Sequence, residues 1–317
     1  MSGTRSVTTT AAPGRSATGS GGFTGTRKGR ARAKSGDIGK PAPLWVRTVL
    51  ALLCLLWIVP VFGLAFTSLR DRVDATDTGW WSVFTSPSQL SRLTVENYSQ
   101  VIAQADLGTA LVNSLAITIP ATIIPILIAA FAAYAFAFME FWGRDVLLVL
   151  IVSLLVVPNQ VALTPLLNIY GQLGVNGQFI AAWLAHIGFG MSLAVYLIRN
   201  YMATLPKEVI ESAKIDGASH YQTFWKLIVP MSVPALASFA IFQFLWVWND
   251  LLVALVFIGP GGNQPLTIAL VSLLGQQGQG WQLVAAGGFF TMILPILVFL
   301  SLQRYFVRGL TAGSVKG

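Results

Sequence analysis

Cysteine occurs once, at Cys54 inside an apolar run, so the chain can form no internal disulfide and assemble no cysteine-based metal site. Histidine is nearly as scarce. Neither His186 nor His220 stands in an HExxH or Cys/His spacing, which leaves a metal centre without ligands. Charge is thin as well: Asp, Glu, Lys and Arg make up 10% of the 317 residues, against about a quarter in soluble domains, while 55% are hydrophobic. That balance excludes a water-soluble globule. No GxxxxGK[ST] phosphate loop occurs, so any nucleotide chemistry belongs to another chain. No internal repeat of fixed period is evident either.

What remains is apolar sequence with charge at its edges. Basic residues outnumber acidic ones 20 to 12, which alone would suit nucleic acid. Their positions argue for no nucleic-acid partner, because nine of the basic residues cluster at the start: Arg5, Arg15, Arg27, Lys28, Arg30, Arg32, Lys34, Lys40 and Arg47, opposed only by Asp37. Such a tail reads as a cytoplasmic anchor with added attraction to anionic membrane lipid. Residues 1–40 are rich in Gly, Ser, Thr, Ala and Arg and cannot bury enough surface to offset backbone ordering, so a disordered basic tail is expected there.

From about residue 41 to 317 the pattern predicts an all-α membrane domain of about six transmembrane helices. The apolar stretches are Leu44 to Phe66, Leu107 to Phe138, Val146 to Ile169, Phe179 to Ile198, Val233 to Ile258 and Val284 to Leu302. Each is long enough to cross ~30 Å of hydrocarbon, and the first is too long for a signal-peptide core. Six crossings put both termini on one side. That side holds 17 basic residues and the other only Arg70, Arg72 and Arg92, so the positive-inside rule places both ends in the cytoplasm.

Two connections are long. That from Leu69 to Asp106 carries Asp71, Asp74, Asp77, Glu96 and Asp106 with Trp80 and Trp81, and suits an interfacial cap with aromatic anchors. The other, at about 200–232, reads as two short helices with a tight joint. Pro206 suits a first helical turn, Gly217 supplies a left-handed helix end, Ser219 with Gln222 forms a capping box, and Pro230 limits the second helix near the membrane. Val209, Ile210, Ala213 and Gly217 share one face, with Glu208, Glu211 and Lys214 on the other. Small residues at the bend, Ser212, Ala213, Gly217 and Ala218, let another protein approach closely; an amphipathic loop lying on the membrane surface has the same pattern.

Polar residues inside the spans mark a candidate pathway. Asp250 follows Asn249 in an apolar stretch, and a carboxylate at the bilayer centre costs about 2.5–3.5 kcal/mol, so it should face protein or water. Counted from Pro234 it lies roughly 24 Å along the helix. Trp246 and Trp248 offer ring faces on which a cargo can stack while Asn249 and Asp250 accept hydroxyl hydrogen bonds; a polar knot between helices or an aromatic belt is the plainer reading from position alone. Pro158, Asn159, Gln160 and Pro165 interrupt another span, as broken helices lining a cavity do and as packing kinks do. His186 reads as a helix-to-helix hydrogen-bonding residue, with no second ionisable group a turn away.

Glu211-Ser212-Ala213, Asp216-Gly217-Ala218, Phe224, Ile228 and Pro230 together resemble the signature loop of bacterial ABC-importer permease subunits, with Ser212 where that family usually has Ala. The likeness extends through Thr94 to Tyr98, Asn113-Ser114, Ala133-Tyr134-Ala135, Pro158-Asn159-Gln160, Trp248-Asn249-Asp250 and the ending from Gln303 to Gly317, and narrows to the maltose-type carbohydrate branch. The resemblance implies the type I importer permease fold in a bacterial inner membrane, a second permease subunit, an ATPase dimer carrying the ATP and Mg, and an extracytoplasmic sugar-binding protein. It also implies that Glu211, Asp216 and Gly217 dock the ATPase and that the tail at 305–317, with Arg308, Gly309 and Lys316, reaches the same subunit. An oligosaccharide of the alpha-glucoside, maltose or trehalose kind fits this branch. The same architecture with a polyamine or glycerophosphodiester cargo is one rival; a proton- or sodium-coupled carrier without an ATPase is another.

Overall fold

The computed structural model describes residues 43–274 and 280–311, with side chains up to 304. The expected tail at 1–40 and the side chains of Arg308 and Lys316 lie outside the described residues, as does any side-chain detail at 305–317. The chain divides into two compact units, 1–53 and 54–317. Of the first, the described part is the opening of an apolar helix, α1 (Leu44–Ser68).

In the second unit the described residues are helical and contain no strand. A connection built from α2 (Arg72–Asp77), 3-10 turns and α3 (Glu96–Gln104) leads to the central helix α4 (Leu107–Phe138). Next come α5 (Arg144–Ser153), α6 (Asn159–Gln172) and α7 (Phe179–Met202). The chain then forms α8 (Lys207–Ile215) and α9 (His220–Thr223), which runs through a π turn, Phe224–Ile228, into α10 (Val229–Trp248). Two short helices, α11 (Leu252–Phe257) and α12 (Leu266–Val271), precede the closing α13 (Trp281–Thr311). Five runs among the described residues are long and apolar enough to cross a bilayer: α1, α4, α7, His220–Trp248 and α13 as far as Arg304.

The stretch expected as a straight span from Val146 to Ile169 is a bent pair. Its helical parts, Arg144–Val156 and Asn159–Gln172, meet at 99°. Proline is the reason: Pro158 pushes Val157 into extended backbone, ψ 120°, and it offers no N–H to continue the ladder. Pro230 behaves differently from expectation and does not limit its helix. The π turn lets the Val229 N–H reach back to Phe224 O, absorbing the register change around the proline, so the helix passes from the elbow into the membrane without a stop.

Small residues set the closest packing. Ala121, Ala129, Ala130 and Ala133 of α4 face Ala182, Ala194 and Val195 of α7, and without large side chains the two backbones approach closely. By contrast, α1 keeps most of its surface exposed.

The α1–α4 connection is pinned by a group that sequence reading missed. Arg70, 2% exposed, donates through Nη1 to Thr78 O at 2.9 Å and through Nη2 to Asp74 O and Thr78 Oγ1. Burial lowers the Arg70 pKa from its ordinary value, and Asp74 and then Asp71 pull it back up. Arg92 reaches Asp74 Oδ1 at 2.8 Å, and Asn97 donates to the carbonyls of Ser68 and Arg70. Trp80 closes over Gly63 and Phe62, whereas Trp81 remains exposed.

Candidate functional site

The elbow between α7 and α10 is a stiff joint made by local chemistry. Pro206 stands at the N-cap of α8, one residue ahead of the expected first turn. At the other end Gly217 has φ +77°, its N–H bonds Lys214 O at 3.1 Å, and the Ala218 N–H reaches Ala213 O at 2.9 Å. That double closure is a Schellman motif, and the positive φ explains glycine there. Ser219 and Gln222 then form both arms of a capping box, at 3.3 and 3.0 Å, which starts α9.

Glu211, Ser212, Asp216 and Gly217 are exposed, Ala218 is half-buried, and Ala213 turns inward with Ile210. The expected docking residues therefore separate into an outward group and the packing that holds it. Sequence reading missed Ile215, an isoleucine 87% exposed at the end of α8 beside that group. Its signal was an apolar side chain on the polar face.

The second candidate site lies where α10 ends. Asp250 is not within a helix, as the apolar stretch implied: the helix stops at Trp248, and Asp250 Oδ2 accepts from the N–H groups of Val253 and Ala254 at 2.7 and 3.3 Å, capping α11. Asn249 is exposed and folds back to donate to Leu245 O at 2.7 Å. His186 of α7, expected to lack an ionisable neighbour, places Nε2 3.9 Å from Asp250 Oδ2. Its ring meets Trp246 edge-on, centroids 5.6 Å apart.

The two tryptophans part company. Trp246 is 36% exposed, whereas Trp248 is 4% exposed, stacks on Phe244 and donates its indole N–H to Thr291 O at 3.2 Å. Trp248 is thus spent on packing α10 against α13, and no ring face is left for a sugar. Beside Asp250 and His186 lies a cavity of about 10 Å³ lined in part by Ser114, Thr118 and Thr267, too small for a sugar ring. Asn159 and Gln160 open α6 at the 99° bend and share no hydrogen bond with this group among the described residues.

Several long apolar helices, one of them joined to a capped elbow by continuous helix, define a multi-pass membrane protein. The chain belongs to the binding-protein-dependent transport system inner membrane components, whose family profile matches residues 125–312. Its relatives are permeases rather than enzymes. It is 53% identical over 272 residues to the osmoprotective compounds uptake permease protein GgtD of Synechocystis sp., covering 86% of this chain and 91% of that one. It is 54% identical over 241 residues to the alpha-glucoside transport system permease protein AglG of Rhizobium meliloti, covering 74% of this chain and 63% of that one. A chain of a crystallised bacterial ABC transporter that imports the polysaccharide alginate shares the fold, with a TM-score of 0.62 at 13% identity over 83% of this chain and 96% of that one.

Proposed function

We propose that this chain is one of two permease subunits of an ATP-driven sugar importer in a bacterial inner membrane, with both termini in the cytoplasm, and that its cargo is an alpha-glucosidic sugar. Relatives named for alpha-glucosides and, in Mycobacterium tuberculosis, for trehalose support the cargo class. The observation that carries the mechanism is the elbow: a helix capped at both ends of its joint and continuous with α10. Glu211, Ser212, Asp216 and Gly217, with Ala213 and Ala218 beneath them, dock a separate ATPase that holds the ATP and Mg. Arg308, Gly309 and Lys316 extend the same contact.

Packed helices have discrete arrangements rather than continuous give, so closure of an ATPase dimer against such a joint rocks the attached spans. Trp246, Asn249 and Asp250, with Asn159 and Gln160 at the bend, line this chain's half of the route. An extracytoplasmic binding protein delivers the cargo, a partner in keeping with the family description. Purifying the tagged chain in mild detergent should bring down an ATPase and a second permease, and liposomes holding that complex, with the binding protein supplied outside, should accumulate labelled alpha-glucosides only with ATP inside. Uptake that persists without the ATPase and collapses with an uncoupler would overturn the reading. A second cargo has a specific observation behind it, the relative named for osmoprotective compounds, and competition of labelled trehalose uptake by compatible solutes separates the two.

A further inference from the structure

The elbow is joined to the rest of the molecule three times. Two joints are covalent: α7 enters it through Leu205 and Pro206, and α9 leaves it through the π turn into α10. The third is lateral and runs to α4, which is separated from the elbow in the chain by α5, α6 and α7. Phe131 stacks on Phe224 with centroids 4.5 Å apart and planes at 22°, and meets Trp225 edge-on at 5.7 Å. One turn later Tyr134 meets Phe224 edge-on at 5.4 Å. There the Tyr134 hydroxyl, on a residue 5% exposed, lies 2.9 Å from His220 Nδ1, a hydrogen bond in either imidazole tautomer. It is the one side-chain hydrogen bond between α4 and the elbow among the described residues.

The two kinds of contact do different work. Stacked rings resist separation but tolerate sliding, whereas a hydrogen bond is lost within a few tenths of an ångström and so fixes register. His220 is the first residue of α9, directly after the Ser219 cap, so its backbone is part of the rigid joint. At its other end α4 carries Ser114, Ile117 and Thr118, which wall the cavity beside Asp250.

We propose that Tyr134 and His220 are positioning residues, a latch that obliges α4 to move with the elbow, so that a stroke delivered there reaches α4 as well as α10. The latch rests on the reading of the elbow as the ATPase dock. Without it the stroke passes down α10 and is partly lost as sliding along α4, and ATP is hydrolysed with less cargo moved.

The test uses the whole importer in liposomes, with the ratio of sugar transported to ATP hydrolysed as the readout. Tyr134→Phe and His220→Ala each lower that ratio roughly fivefold, the scale of one lost hydrogen bond, while the ATPase co-purifies at the unaltered proportion. The double variant loses no more than the worse single one, and His220→Asn, whose amide occupies the place of Nδ1, restores the ratio. An unchanged ratio in both single variants, losses that multiply in the double variant, or no rescue by Asn overturns the latch while leaving the dock standing. Failure of the ATPase to co-purify with the unaltered chain overturns the dock, and the latch with it.

Discussion

Gln243 sits where three spans meet. Its Nε2 donates to Ala121 O of α4 at 3.0 Å and to His186 O of α7 at 3.2 Å, and Gly190 clears the crossing, since a Cβ there would lie 2.6 Å from Oε1. Bonds of this kind between membrane helices contribute about 0.6 kcal/mol, at most about 1.7. Gln243→Leu should therefore lower the thermal midpoint of the detergent-solubilised protein slightly. Gln243→Glu should lower it far more, because a carboxylate would face two carbonyl oxygens in a buried site where charge costs about 2.5–3.5 kcal/mol. Asp250 allows a sharper division. If its role is to cap α11, Asp250→Asn keeps an accepting oxygen and full uptake, and Asp250→Ala loses about 1 kcal/mol of stability. If the negative charge serves the route, Asp250→Asn abolishes uptake at normal membrane levels, and that is the expected result, read as initial rates against protein amount.

At the scale of elements, the elbow stands on one backbone angle. Gly217→Ala should cost about 1–2 kcal/mol for its left-handed position and slow uptake, whereas Gly217→Pro cannot adopt φ +77° and also loses the N–H bonded to Lys214 O. Uptake should vanish in the proline variant while membrane insertion persists; immunoblotting of membranes against transport assays checks both. This element is legible in the sequence, because Gly217, Ser219 and Gln222 act through neighbours within a turn. Pro158 is half legible: its break can be read, but a 99° bend depends on what Leu163 and Tyr170 of α6 pack against, namely Ala181, Ala185, Val253 and Phe257. The stop after Trp248 is hidden by the apolar residues on both sides of Asn249 and Asp250. Arg70 over Thr78 and Asp74, and His186 beside Asp250, are out of the sequence's reach because packing alone decides which distant polar groups meet. Trp248 misleads for the same reason, since nothing in the sequence tells a ring that faces the route from one that faces α13.

For the whole molecule the number of crossings decides on which sides the termini lie. Five long helices and one bent pair give termini on the same side if the pair crosses, and on opposite sides if it dips in and returns. With 17 basic residues grouped against three, the expected outcome is that reporters fused to either end both report the cytoplasm. Opposed reporters would make Arg144–Gln172 a re-entrant loop. A last consequence follows from the π turn that carries the helix past Pro230. From His220 to Trp248 the run holds 29 residues, about 43 Å at ~1.5 Å each, with no slack to take up travel. One residue added anywhere in it would turn everything beyond by about 100°. Chain length along this rod should accordingly be far less forgiving than side-chain identity: the gearing is in the count.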